Sequence, residues 1–533
     1  MGYRGQSFFI PFDKGGLNHN KNMDMIPPEA MVHPSRNVNL NQNGRQTRGG
    51  TSYVYSSAIS GTPQIMGIYD FTRIGGTQYI VVVGKDGKVY RNSTTAIKTG
   101  WTTSEKYACF AVFDNELYIV NGYNTPAKWD GSTWTDLTDI PADWTGVNMP
   151  QWIINHGRGA SQRMFAGGCP TNPGRIYISP TGDGDDFSDA NVTQMDIDTG
   201  DAYGIVGAVE FGDRLFLLGR RQSYLMDDTD ADIANWGWQK AQWEGGTANF
   251  RLICRLPNDI VSMMDDGEVY SATALDNYGD YKAASIARPA YINEWIAEYL
   301  DLSKINQFHM QYDPILRCIK IFGVKKGYSV VNLALCYFID RGPLDGWIPH
   351  DNDSANSGYD ASASALVKVS EGEYKIYTGD YDGMVWSLES SSANDNGNAF
   401  YNGFKTPKLS MQDVRTNKKF AKGWLSFITT GAWPLYINWW VDNVLQETRG
   451  ITASTEGGTL DIFVLDTDAL GGDEVTESWF FLGNVGKRIQ FEIFMNGVSE
   501  EFFISVMAVD YKYLGKVNQR RDVAPGVSSS PIG

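Results

Sequence analysis

Several groups of residues in this chain could do chemistry by type and spacing, and each competes with a plainer reading. Asp183, Asp185 and Asp186 crowd three carboxylates into Thr181-Gly182-Asp183-Gly184-Asp185-Asp186-Phe187, as a calcium loop would. An EF-hand loop also needs a glutamate at its twelfth position, which is missing here, so the stretch reads as a hydrogen-bonded surface turn. The cluster Asp227-Asp228-Thr229-Asp230-Ala231-Asp232 reads as a solvated loop. A glycosidase sets two carboxylates across a cleft, but among 62 acidic residues some pair fits by chance and no local motif selects one. The chain has no GxSxG, HExxH or Walker pattern, no Ser-x-Asp-x-Gly-x-x-Trp box and no WD40 signature. Its five histidines (His19, His33, His156, His309, His350) lie far apart, and its five cysteines (Cys109, Cys169, Cys254, Cys318, Cys336) form no CxxC. No metal, cofactor or catalytic residue is expected. The thiols read as small buried hydrophobes in a chain that folds in a reducing cytoplasm.

Aromatic and basic residues offer binding rather than catalysis. Trp439-Trp440 could stack on sugar rings, but adjacent strand residues face opposite sides, so core packing is favoured. Arg45, Arg48, Lys418, Lys419, Arg520 and Arg521 are basic spots in a chain of net charge −17. They read either as ordinary surface charge or as docking groups for acidic patches on neighbouring subunits. The acidic balance excludes a nonspecific nucleic-acid binder, which must neutralise phosphates. It suits solubility, or a conduit whose wall does not grip the DNA passing through it.

The elements that must position these residues are strands. An Asp/Asn/Gly turn followed by an aliphatic and an aromatic residue recurs as Asp86-Gly87-Lys88-Val89-Tyr90, Asp114-Asn115-Glu116-Leu117-Tyr118 and Gly174-Arg175-Ile176-Tyr177. It returns as Gly212-Asp213-Arg214-Leu215-Phe216, Asp265-Asp266-Gly267-Glu268-Val269-Tyr270 and Asp382-Gly383-Met384-Val385-Trp386. Hairpin units recurring at intervals of tens of residues predict a β-propeller of about seven blades. At 533 residues, with 57 glycines, 16 tryptophans and 28 tyrosines, the chain has the length for several domains and the composition for pleated sheets. Residues 1–60, rich in Asn, Gly and Pro, predict an extended arm, and 61–395 the propeller, with a short helix near 291–302. A Ser/Asn/Asp/Gly linker opens 396–515, whose longer alternating strands predict a β-sandwich. Residues 516–533 read as a flexible tail. The apolar stretch near the N-terminus, Phe8-Phe9-Ile10-Pro11-Phe12, is too short for a signal peptide. No stretch approaches the roughly 20 apolar residues of a membrane helix, so no membrane anchor is expected.

On these residues the chain resembles a family. Pro27-Pro28-Glu29-Ala30, Arg36-Asn37-Val38 and the Arg/Gly stretch after them lead into the repeats. Ile176-Tyr177-Ile178-Ser179 is followed by Gly182-Asp183-Gly184-Asp185-Asp186-Phe187-Ser188. Lys405-Thr406-Pro407-Lys408, Asn417-Lys418-Lys419-Phe420, Val441-Asp442 and Val509-Asp510-Tyr511-Lys512-Tyr513-Leu514-Gly515 lie in the last part. Together they resemble bacteriophage tail nozzle proteins, also called packaged-DNA stabilisation or tail hub proteins. The resemblance implies a non-enzymatic virion protein assembled in the host cytoplasm. It implies a homohexameric ring around the DNA exit channel, below the adaptor (the head-to-tail connector) and in contact with tail spike, fibre or needle proteins. Viral DNA would pass through without sequence-specific binding. Arg36, Arg45, Arg48, Lys418 and Lys419 become the expected interface residues. The alternative is a virion-surface propeller, in a baseplate or receptor-binding role, that binds or degrades host polysaccharide.

Overall fold

The structure, a computed structural model, describes residues 5–92, 95–103, 105–230, 232–274, 281–353, 356–429, 431, 433–452 and 475–514. The expected tail at 516–533, with Arg520 and Arg521, lies outside the described residues. The chain is all-β with a propeller-like plan, built mainly of four-stranded antiparallel sheets. The recurring turn signature explains why those sheets form, and it marks two different turns. Asp114-Asn115 (φ 44° and 62°) and Gly212-Asp213 (φ 57° and 65°) join the first and second strands of their sheets. Both central residues are left-handed there, which matches the right-handed twist of the flanking strands. Asp86-Gly87, Asp266-Gly267 and Asp382-Gly383 join second and third strands, with the glycine left-handed in each (φ 79°, 86° and 79°).

Seven four-stranded sheets follow one another among the described residues. They begin with Ile65–Thr72, Cys109–Phe113, Trp152–His156, Gly207–Phe211, Ile253–Leu256, His309–Asp313 and Ala363–Ser370. Each first strand packs beside the first strand of the next sheet, and Ala363–Ser370 of the seventh packs back on Ile65–Thr72 of the first. That return is tight. A Cβ on Gly379 would sit 2.4 Å from the Ile65 side chain, so only glycine fits. An apolar layer fills each gap. Val81, Val83 and Val89 of the first sheet meet Leu117, Ile119 and Trp129 of the second. Phe165 and Ile176 of the third meet Leu215 and Leu217 of the fourth. Each such side chain, buried on both faces of its sheet, contributes about 1.5–3 kcal/mol. The expected helix is Ile292–Tyr299, between the fifth and sixth sheets, with Ile292, Trp295 and Ile296 buried.

The seventh sheet takes its outer strand from the other end of the chain. Gly50–Tyr53 pairs with Val385–Ser390, with Tyr53 opposite Trp386 and Ser52 opposite Ser387. Residues 1–60 were expected to lie as an arm on a finished fold. Instead, five strands between Gln6 and Tyr53 belong to three sheets. Gln6–Pro11 and Gly44–Thr47 pair with Phe502–Tyr513 in a seven-stranded sheet. Val32–Arg36 pairs with Asn402–Lys405 in a five-stranded one. These two sheets share a core in which Phe404 meets Phe502, and Phe480 meets both Trp439 and Phe491. The boundaries drawn at 60 and 396 therefore follow the chain but not the sheets. The early strands are four to six residues long, too short to carry a period of their own.

A histidine bridges the third and fourth sheets. His156, 4% exposed, ends its strand with Nδ1 3.1 Å from Glu210 Oε2 and Nε2 2.7 Å from Asp228 Oδ2. Burial opposes the charged ring, but hydrogen bonds to Asp228 and Glu210 prevail and raise its pKa. A group raised on folding stabilises fully below its unfolded pKa, about 6.5, and loses that contribution as pH rises through the folded value. His156→Gln should therefore lower the melting temperature most at about pH 5.5–6 and progressively less above it. Thermal unfolding of both proteins across pH checks this, and a gap that widens with pH would contradict it.

Candidate functional site

The basic residues expected at an interface are mostly internal. Arg48 is wholly buried, with Asp395 equally closed to solvent. Its Nη1 and Nη2 donate to the two Asp395 oxygens at 3.0 and 2.8 Å, and Nε donates to Asn37 Oδ1 at 2.9 Å. The guanidinium lies over the Phe400 ring at 3.7 Å. Arg45 is also buried, between the Phe12 and Phe404 rings at 4.4 and 4.3 Å. It donates to the carbonyls of Gly15 and Glu29, and burial pulls its pKa well down. Lys418 gives its ammonium to the carbonyls of Asp413, Thr416 and Lys487. Surface docking by Arg45, Arg48 and Lys418 is thus corrected. Each charge is spent inside the fold because Arg45 and Lys418 lie on strands within sheets and Arg48 lies in the link between Gly44–Thr47 and Gly50–Tyr53, both of them sheet strands. Arg36 is half-buried and pairs with Asp351 and Asp353 at 3.2 and 2.6 Å. Of the five, only Lys419 stands exposed.

Around Arg48 the polar groups form a closed network that sequence reading missed. Asp395 also accepts from Thr51 Oγ1 and Asn352 Nδ2, at 3.0 and 2.8 Å. Nearby, Lys320 Nζ sits 2.6 Å from Glu389 Oε1. Burial works to raise the Glu389 pKa, but Lys320, His350 and Arg48 prevail and hold it down at about 2. Glu389 Oε2 accepts from Asn39 and from the Gly49 amide, tying the N-terminal segment to the sixth and seventh sheets. No group of three or more His, Cys, Asp or Glu side chains among the described residues is placed to hold a metal ion. Asp183, Asp185 and Asp186 take backbone amides or Lys128 as partners.

The free surface lies elsewhere. On the outer face of the seven-stranded sheet, cross-strand register aligns Trp479, Trp424, Ala508 and Phe9 in one row. Phe481, Lys422, Asp510 and Ser7 form the next row. Phe9, Trp479 and Phe481 are 62, 58 and 67% exposed, and Trp424 lies 6.2 Å from Trp479. Lys422 Nζ caps the Phe481 and Trp479 rings at 5.3 and 5.9 Å. The signal was Trp479-Phe480-Phe481. Three successive aromatics on a strand must put two on one face, and here Phe480 takes the core. Trp439 is buried, donating Nε1–H to Asn484 Oδ1 at 3.0 Å, while Trp440 lies under Lys405 Nζ at 3.9 Å.

No family model and no curated protein matches this chain. Solved structures do, at low identity. PorZ, a surface component of the type-IX secretion system of Porphyromonas gingivalis, is 10% identical over 70% of this chain and 44% of its own, with a TM-score of 0.36. The N-terminal domain of Nup159 is 10% identical over 66% of this chain and 96% of its own, at 0.33. The computationally designed Ika8 protein is 9% identical over 62% and 98%, at 0.34. This chain thus spans less than half the length of PorZ.

The Arg48–Asp395 pair yields a direct stability test. Arg48→Met keeps side-chain length but leaves Asp395 buried without its cation, which should destabilise the protein by about 3–5 kcal/mol. Urea unfolding of the purified variant reads this as a lower midpoint. Asp395→Asn added to Arg48→Met should recover part of the loss.

Proposed function

We propose that this chain is a structural subunit of a bacteriophage tail, a seven-bladed β-propeller joined to a β-sandwich. It forms a nozzle or hub ring around the DNA exit channel and performs no turnover. The observation that carries this reading is the aromatic face of the seven-stranded sheet. Phe9, Trp424, Trp479 and Phe481 form a rigid strip of large apolar rings on strands paired by backbone hydrogen bonds. Such a patch marks an interaction surface, and aromatic side chains dominate the energetics of protein interfaces. Its occupant in this reading is the neighbouring copy in a homohexamer. The interface thereby passes from the buried arginines to this strip, with Lys419 at the end of the same long strand.

Two further features support the reading. The net charge of −17 gives a ring little attraction for the DNA backbone passing through it. The interweaving of Gln6–Tyr53 through three sheets makes one stiff body of sheets remote in sequence, which suits a part that transmits force between the adaptor and the spike, fibre or needle proteins. Among the described residues no helix is long and apolar enough to cross a membrane.

The test pairs an assembly measurement with particle genetics. The purified chain should form a closed ring of about six copies by mass photometry. Trp479→Ala combined with Phe481→Ala should give a folded monomer, since both side chains are largely exposed and the cost to the fold is small. Particles lacking the gene should lose packaged DNA. Gene-deleted particles that keep their DNA and carry complete tails would overturn the proposal. Saturable glycan binding abolished by the same double substitution would favour the polysaccharide-binding alternative.

A further inference from the structure

We propose that the converging ends of the first strands form a binding site for a sugar-sized ligand carrying an oxyanion, a carboxylate or a phosphate, held by Arg251 and Arg220. A cavity of about 590 Å³ opens where these strands begin, lined by Tyr107, Gln151, Val206, Arg251 and Asn306 from five successive sheets or their approaches. A second cavity of about 420 Å³ runs along the strands themselves. Phe250 and Arg251 line both. These volumes lie within the range of small-molecule sites.

The electrostatics give the ligand's charge. Arg251 forms no ion pair among the described residues. Its Nη1 donates to the Ser362 carbonyl at 2.8 Å and Nη2 to that of Gln307 at 2.5 Å, while Nε has no partner. The guanidinium lies 3.4 Å from the Tyr107 ring centroid. Burial pulls its pKa down, as expected of a cation lacking a counter-charge. A buried charge ordinarily has a partner, and here carbonyl dipoles supply part of that role. Arg220, in the same cavity, shares the stacking and the unpartnered Nε but has a carboxylate within reach. It lies 3.6 Å from the Tyr203 ring centroid, its Nε is unpartnered, and its nearest carboxylate is Asp265 at 3.8 Å. Glu105 also lines the cavity but is held by Lys85 at 2.6 Å. In a chain with 62 acidic residues against 45 basic ones, a buried arginine stacked on a tyrosine with no carboxylate partner among the described residues, as Arg251 is, is out of pattern.

The ligand's second feature comes from His309. This residue, 3% exposed, lines the second cavity with Arg251. Nδ1 faces the Gln307 carbonyl at 3.4 Å and must carry the proton there, so in the neutral ring Nε2, which has no partner, presents a lone pair. Burial, and then Arg251, hold the ring neutral. A hydroxyl beside the oxyanion would satisfy Nε2. The site thus fits an acidic sugar or a sugar phosphate, with the ring against Tyr107 or Tyr203.

Calorimetry on the intact chain tests this with three probes: glucuronate, inorganic phosphate and glucose. Either anion should bind with a dissociation constant of about 1 mM or tighter, and glucose should not. Which anion binds more tightly tells carboxylate from phosphate recognition. Arg220→Gln should weaken binding at least about tenfold, whereas Arg220→Lys should retain most of it, because a charge-assisted hydrogen bond requires the charge. Arg251→Gln should abolish binding. If that variant fails to fold, the two Arg220 variants decide the matter, since that side chain is partly exposed. The absence of binding by either anion, equal binding of glucose, or unchanged affinity in Arg220→Gln would overturn the proposal. None of these outcomes bears on ring formation.

Discussion

The bidentate pair between Arg48 and Asp395 is the constraint on which the rest of this structure depends. Both side chains are closed to solvent, so the pair persists only because each remaining donor and lone pair is met. Asn37, Thr51 and Asn352 fill those positions, and the Phe400 ring covers the guanidinium. Desolvating two charges costs several kcal/mol for each ion, and only good geometry offsets it. The benefit is positional. Residues 347 apart in sequence are fixed to within a hydrogen bond, and that fixes where Gly50–Tyr53 must run.

From that point the two parts of the chain are no longer independent. The strand completing the seventh sheet leaves directly from the strands that enter the five- and seven-stranded sheets. One apolar cluster continues from Val261 and Ile319, through Leu388, to Phe404 and Phe491. Opening the last sheet would therefore expose Glu389, Lys320 and Asp395 together, and such cooperative units open rarely. Several cations are held in this interior. Arg45 lies between two phenyl rings, Lys418 among three carbonyls and Lys320 against Glu389.

Much of the fold was legible because it rests on local chemistry. Asp114-Asn115 and Gly212-Asp213 specify a turn wherever they occur, and runs such as Tyr79-Ile80-Val81-Val82-Val83 specify a strand buried on both sides. A succession of similar strand units and one short helix follow from such signals. The N-terminal strands were not legible as sheet members, because Gly50-Thr51-Ser52-Tyr53 has no apolar period and draws its pairing from Trp386 and Ser387. The expected interface erred for a related reason. Arginine in an acidic chain suggests a docking group, and nothing near Arg48 in sequence reveals that its carboxylate lies at 395. The exposed strip was partly legible in Trp479-Phe480-Phe481. The unpaired Arg251 was not, since a missing counter-charge is visible only in three dimensions.

The pairing of Gly50–Tyr53 with Val385–Ser390 also sets a timetable. During vectorial synthesis the segment that closes the last sheet leaves the ribosome first, and its partner follows more than 300 residues later. At about 5–20 residues per second, the early segment waits on the order of 15–65 s with its backbone donors unmatched. Its polar, glycine-bearing composition, which hid it from periodicity, also gives it little apolar surface through which to aggregate during that interval.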